Sequence, residues 1–223
     1  MIFDGGDGSV DMQKGIGRKI VPVVVIDDAD DAVGLCEALL EGGMDVVEVT
    51  FRTAAAAGAI ERIKQALPEM LVGAGTVLTG EQAEQCLDIG VDFALAPGLN
   101  ERIVERFADA EVLFIPGVMT PSEIEWGLDL GCKLMKYFPA ESAGGIKMLK
   151  SIAGPYGETG VKLCPTGGVS LENMMDYLEM PVVECVGGSW LATREQISGH
   201  EWDTITGQAR KAMRVLLGEM AAS

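Results

Sequence analysis

Eight times between residues 20 and 187 a short run of β-branched and other apolar residues is followed by a longer stretch with helical spacing. The unit recurs about every 20 to 28 residues, the period expected of strand-plus-helix modules. The runs are IVPVVVI (20–26), VVEVT (46–50), LVGAGTV (71–77), FALAP (93–97), LFIPGV (113–118), KLMKYF (133–138), VKLCPT (161–166) and VECVG (183–187). Between them lie amphipathic stretches such as DAVGLCEALLEG, GEQAEQCLDIG and GGIKMLKSIAG, several closed by stop signals at Gly42-Gly43, Pro68, Gly90 and Gly131. Strands joined through crossover helices pair in parallel, and eight such units predict an α/β fold, a (β/α)8 TIM barrel. An open doubly wound sheet shares the pattern, but the count favours closure. No Pro/Ser-rich linker divides the 223 residues. The expected organisation is therefore an N-terminal lead over 1–17, a short helix or partly disordered, followed by one barrel domain over 18–223.

Charge narrows the partners. Seventeen Lys and Arg stand against 34 Asp and Glu, a formal net charge of −17. Such a surface repels phosphate backbones and anionic lipid, so neither nucleic acid nor membrane is an expected partner. An anionic ligand then needs local positive groups to capture it against the global field. The absence of a long apolar run, and of a basic segment leading an apolar one at the N-terminus, predicts a cytoplasmic protein. Cys36, Cys86, Cys132, Cys164 and Cys185 form an odd set without CxxC spacing, read as core thiols, with no disulfide framework and no metal site. His200, in SGHEWD, is read as a surface residue.

Barrel strands are apolar on both faces and carry active sites at their C-terminal ends, which makes polar residues there informative. Glu48 interrupts VVEVT, sharing a face with Val46 and Thr50, and Arg52 keeps that parity if the extended chain lasts so far. A Glu–Arg pair tying the barrel together competes with a catalytic carboxylate. In KLMKYF, Lys133 and Lys136 face opposite sides. Lys133, at the start, reads as a surface residue. Lys136, near the end, has two readings: an ammonium paired with Glu48, or an amine whose pKa is lowered by burial and which attacks a carbonyl to form a Schiff base. Glycine-rich exits follow the last two runs, PTGG (165–168) and GGSW (187–190). They predict an anion cradle from Gly167, Gly168, Gly187, Gly188 and Ser189, aided by a short helix starting near Ser189. Thr76 and Pro97 end the third and fourth runs, where they line the mouth or serve as turn residues.

The segments EVTFRT (48–53), GAGTVL (73–78), PGL (97–99), IPGVMTPSE (115–123), KYFPAE (136–141), GPY (154–156), CPTGGVS (164–170) and GGSWL (187–191) closely resemble the bacterial 2-keto-3-deoxy-6-phosphogluconate (KDPG) aldolases, also called 4-hydroxy-2-oxoglutarate (KHG) aldolases. The resemblance implies a homotrimeric class I aldolase of the Entner–Doudoroff route that needs no cofactor or metal. Its substrate would be a small 2-keto acid phosphate, cleaved to pyruvate and glyceraldehyde 3-phosphate, with 4-hydroxy-2-oxoglutarate split to pyruvate and glyoxylate as well. By the same resemblance Lys136 is the Schiff-base lysine, Glu48 the acid/base and Arg52 the carboxylate binder. Thr76, Pro97 and Phe138 match the pyruvyl pocket, and Gly167, Gly168 and Ser189 the phosphate side. Against this stand two other readings of the residues, a non-covalent phosphosugar isomerase or epimerase and a non-catalytic phospho-ligand-binding barrel.

Overall fold

A run that is apolar on both faces has no side to turn to water, so it must pair on both edges and be covered by helices. The computed structural model describes residues 20–219; the lead over 1–17 lies outside them. Strands β1 (Ile20–Val24), β2 (Val46–Thr50), β3 (Leu71–Gly75) and β4 (Phe93–Leu95) are followed by β5 (Leu113–Ile115), β6 (Gly117–Val118), β7 (Leu134–Tyr137), β8 (Lys162–Pro165) and β9 (Val186–Gly188). Helices α1 (Asp31–Glu41), α2 (Ala56–Ala66), α3 (Gly80–Asp88), α4 (Glu101–Asp109), α5 (Pro121–Asp129), α6 (Gly145–Ala153) and α7 (Met174–Leu178) connect them. Helices α8 (Arg194–Ser198) and α9 (Trp202–Leu216) follow β9.

All pairings are parallel, in the orders β5-β4-β3-β2-β1-β9 and β6-β7-β8. The result is a curled, barrel-like parallel sheet with alternating helices, its ladder interrupted at two places. The predicted fifth run is split into β5 and β6 at Pro116, which has no N–H to give a ladder; its carbonyl still accepts from Lys136 N at 2.8 Å. Between β8 and the last strand only two bridges form, Leu163↔Val183 and Thr166↔Gly187. The partner spacing grows by one residue between them, so the chain bulges, and the ordered strand lies at 186–188, later than the 183–187 read from sequence.

Alternation of side chains sorts the interior. Val21, Val46, Phe93, Leu95, Ile115, Leu134, Cys164 and Cys185 form a small core of their own inside the curled sheet, separate from the larger core beneath the helices. Gly73 makes room for it, since a Cβ there would fall 2.1 Å from the Phe93 ring. Two residues further along the same strands, the same parity delivers Val23, Glu48, Pro97, Lys136, Thr166 and Gly187 to the space above. The inner core is the floor of that space.

Tyr137 has the opposite parity and packs outward into the larger core, fully buried, with no partner for its hydroxyl among the described residues. Leaving a buried polar group unpaired costs about 1–3 kcal/mol. Tyr137→Phe is therefore expected to stabilise the fold by up to about that amount, read as a higher urea midpoint at unchanged slope.

Candidate active site

Glu48 sits in the middle of β2 with 0% exposure, in register with Val23 on one side and Gly73 on the other. A Cβ at Gly75 would lie 2.1 Å from Glu48 Oε1, so that glycine is what leaves space for the carboxylate. Lys136, on β7 between Gly117 and Cys164, reaches the same point from the far side of the sheet. Its Nζ donates to Glu48 Oε1 at 3.1 Å and stands 5.6 Å from the centroid of the Phe138 ring. Glu48 Oε2 has no partner among the described residues. Breaking a buried pair is costly, yet well-packed apolar residues in its place are often as stable or more so. A lone Lys–Glu pair in an apolar interior is thus a poor stabilising device and a good candidate for chemistry.

The pair opens into a cavity of about 440 Å³. Arg52, Thr76, Pro97 and Phe138 line it with the pair, and Gly167, Gly168, Gly187 and Ser189 form its other flank. Sequence reasoning had not singled out Val23, Thr50, Thr166 and Val169 for this lining. Strand parity alone would have found Thr50, two residues after Glu48, and Thr166, two after Cys164.

One open alternative is decided and two expectations are corrected. Glu48 pairs with Lys136 and not with Arg52, because the extended chain ends at Thr50; Arg52 N turns back onto Thr50 O at 2.8 Å. Arg52 is exposed at the mouth, and no hydrogen bond or ion pair joins its guanidinium to another described residue. Gly188 does not line the cavity: it faces away from Gly187, and a Cβ there would fall 1.9 Å from the Trp190 ring. No helix begins near Ser189. Residues 189–192 are bends and α8 starts at Arg194, where Thr193 and Gln196 form a reciprocal capping box, a signal legible in TREQ. No helix N-terminus therefore aids the expected anion cradle, of which Gly167, Gly168, Gly187 and Ser189 line the cavity.

Backbone geometry supports that role. Gly167 and Gly168 have φ of +96° and +82°, values that favour glycine. Thr76 has φ +61°, a conformation costing about 1–3 kcal/mol for a β-branched residue and found mostly at ligand sites.

The remaining candidates fall elsewhere. His200 is exposed, with Nε2 2.7 Å from Asp31 Oδ1 and its ring stacked on Trp202. Lys133 is exposed. All five cysteines are free and buried. Burial pushes the Cys132 thiol up to about 11 and the Cys86 thiol up to about 12, which makes them inert. The hydrogen bond to Cys164, with burial, pushes Cys185 well up too. Among the described residues no cluster of three His, Cys, Asp or Glu could hold a metal ion, and no helix is long and apolar enough to cross a membrane.

A family model, KDPG and KHG aldolase, matches residues 13–208. The KHG/KDPG aldolase of Escherichia coli strain K12 is 43% identical over 194 residues, 87% of this chain and 90% of the relative. The 2-dehydro-3-deoxy-phosphogluconate aldolase of Dickeya dadantii matches to the same extent, 43% over 194 residues, with the same shares of both chains covered. Among solved structures, the KDPG aldolase of Legionella pneumophila, with pyruvate captured at low pH as a covalent carbinolamine intermediate, has a TM-score of 0.84 at 42% identity. It covers 88% of this chain and 95% of that one.

Proposed function

Since the chain belongs to the KDPG and KHG aldolase family, we propose that it cleaves 2-keto-3-deoxy-6-phosphogluconate to pyruvate and glyceraldehyde 3-phosphate through a Schiff base on Lys136, and splits 4-hydroxy-2-oxoglutarate in the same way. The observation that carries this reading is the buried contact of 3.1 Å between Lys136 Nζ and Glu48 Oε1 at the floor of the cavity.

Breaking the bond between carbons 3 and 4 of a 2-keto acid leaves an electron pair beside the carbonyl, which demands an electron sink. Transfer of a proton from Lys136 Nζ to Glu48 frees the amine, which adds to carbon 2. Glu48 returns the proton as the carbinolamine loses water, and the resulting iminium accepts the electron pair when carbons 3 and 4 part. The cationic nitrogen does what a Lewis acid would otherwise do at the ketone. Glu48 then takes the proton of the carbon-4 hydroxyl and delivers one to the enamine carbon, and water releases pyruvate. Its second oxygen, free of other partners, is the one able to face these groups.

Arg52 supplies the local positive charge that a chain of net charge −17 must provide for an anionic substrate. Its guanidinium holds the carboxylate by two parallel hydrogen bonds and turns the ketone toward Lys136. Thr76, Pro97 and Phe138 shape the pyruvyl end, while Gly167, Gly168, Gly187 and Ser189 receive the phosphate. Arg52→Lys loses the fork. It is expected to raise the pyruvate concentration that half-saturates imine trapping about 10-fold or more, since a hydrogen bond to a charged group contributes about 1.5–3 kcal/mol. Unchanged half-saturation would remove Arg52 from this role.

The alternating architecture and the bridges joining β8 to β9 support a closed (β/α)8 barrel as one domain over 18–223. A homotrimer is carried over from the family resemblance; the exposed apolar side chains of Leu78, Met119, Trp126 and Met148 are available to a subunit contact, and light scattering checks it. A cytoplasmic location accords with this chemistry. The direct test is incubation with pyruvate and borohydride, then mass measurement of the modified peptide. A label on Lys136 is expected. An unlabelled, fully active enzyme would instead support a non-covalent isomerase or epimerase.

A further inference from the structure

The cradle has an electrostatic difficulty. Arg52 and Lys136 are the cations among its lining residues, and both belong to the pyruvyl end; Gly167, Gly168, Gly187 and Ser189 bring no formal charge. The grip on a phosphate then depends on where the backbone of the glycine loop stands, since misplacing donors by even 1 Å is expensive.

A carboxylate lies directly behind this loop. Glu141 N donates to Gly167 O at 3.0 Å, and a Cβ at Gly168 would fall 2.5 Å from Glu141 Cβ, so Glu141, itself solvent-exposed, is bonded to the first glycine through its backbone and packs its side-chain stem against the second. Its carboxyl group is held by the hydroxyl of Tyr177, which is fully buried on α7. It lies 3.2 Å from where a Cβ on Gly145, at the start of α6, would be. Four residues before Tyr177, Asn173 Nδ2 donates to Gly168 O at 3.2 Å while its Oδ1 accepts from Ser170 N at 2.8 Å. Helix α7 and its N-cap Asn173 thus tie down the loop twice, Asn173 directly and Tyr177 through Glu141. Burial, then the Glu141 carboxylate, push the Tyr177 phenol up, so it stays a donor.

We propose that Tyr177 and Glu141 are positioning residues for phosphate recognition: the phenol fixes the Glu141 carboxylate away from the cradle and holds the Gly167–Gly168 backbone in its anion-binding shape. A freed carboxylate both loosens the loop and sets a negative charge near the phosphate. The proposal rests on the aldolase reading above and assigns to these residues discrimination between phosphorylated and unphosphorylated substrates.

The experiment compares Tyr177→Phe, Glu141→Ala and Glu141→Gln with the unsubstituted enzyme on two substrates, 2-keto-3-deoxy-6-phosphogluconate and 4-hydroxy-2-oxoglutarate, with borohydride trapping of pyruvate measured in parallel. Tyr177→Phe and Glu141→Ala should raise KM for the phosphorylated substrate about 10-fold, with kcat, trapping and KM for the unphosphorylated one changed less than about twofold. Glu141→Gln, which keeps an acceptor for Tyr177, should stay near the unsubstituted value. Equal losses on both substrates, or no loss on either, would overturn the proposal. If the unsubstituted enzyme neither traps pyruvate nor cleaves the phosphorylated substrate, the aldolase reading falls and this one with it; intact cleavage with unsplit variants sinks this one alone.

Discussion

Lys136→Ala is expected to abolish imine trapping and to lower cleavage of the phosphorylated substrate by about 10⁵-fold or more, the advantage that a positioned reactive group holds over one supplied from solution. The variant also strands Glu48, which has 0% exposure and no other hydrogen-bond partner among the described residues. Removing one partner of a buried pair costs about 3–5 kcal/mol, so a lowered melting temperature should accompany the loss. Lys136→Met keeps most of the stem volume and loses only the amine. If it is equally inactive while folded, by circular dichroism and thermal melting, the amine is responsible. Lys133, Lys147 and Lys150 are exposed, and a borohydride label on any of them would overturn the assignment.

Glu48→Gln separates two steps that the alanine change at Lys136 removes together. The amide oxygen still accepts from Lys136 Nζ, and the volume is unchanged, so Gly75 continues to accommodate the side chain. What is lost is the capacity to carry a proton. General acid–base catalysis contributes about 10²–10⁴-fold, and turnover should fall by that factor while a substantial yield of trapped imine remains after long incubation. Turnover follows from an assay coupled to pyruvate detection, and trapping from intact mass. Complete loss of trapping in this variant would show that Glu48 is indispensable for freeing the amine, and undiminished turnover would remove it from the proton path altogether.

Particular residues show why the fold and much of the site were legible. VVEVT and KLMKYF each place one charged residue on the inward face, and period-two alternation is imposed by covalent geometry within the strand itself. Paired glycines after β8 and at β9 announced close backbone approach, and Gly167 and Gly168 have the positive φ that requires it. The order of motifs from EVTFRT to GGSWL already resembled one family, to which the family model and the relatives assign the chain. Gly188 was misjudged because the dipeptide was read as a unit, although neighbours on a strand face opposite sides. Two partners for Glu48 stood open in the sequence, and only the fold chose between them: the turn after Thr50 carries Arg52 to the mouth, while Lys136 reaches the carboxylate.

By itself, then, the chain determined its alternating strands and helices, the inward parity of Glu48 and Lys136, and the paired glycines at the last two strand exits, because each depends on geometry a few residues long. Tertiary structure alone decided that an amine and a carboxylate separated by 88 positions meet at 3.1 Å, and that Tyr177 reaches Glu141 behind the glycine loop. Those distances depend on the curl and stagger of the whole parallel sheet, which many pairings set jointly and no local pattern encodes.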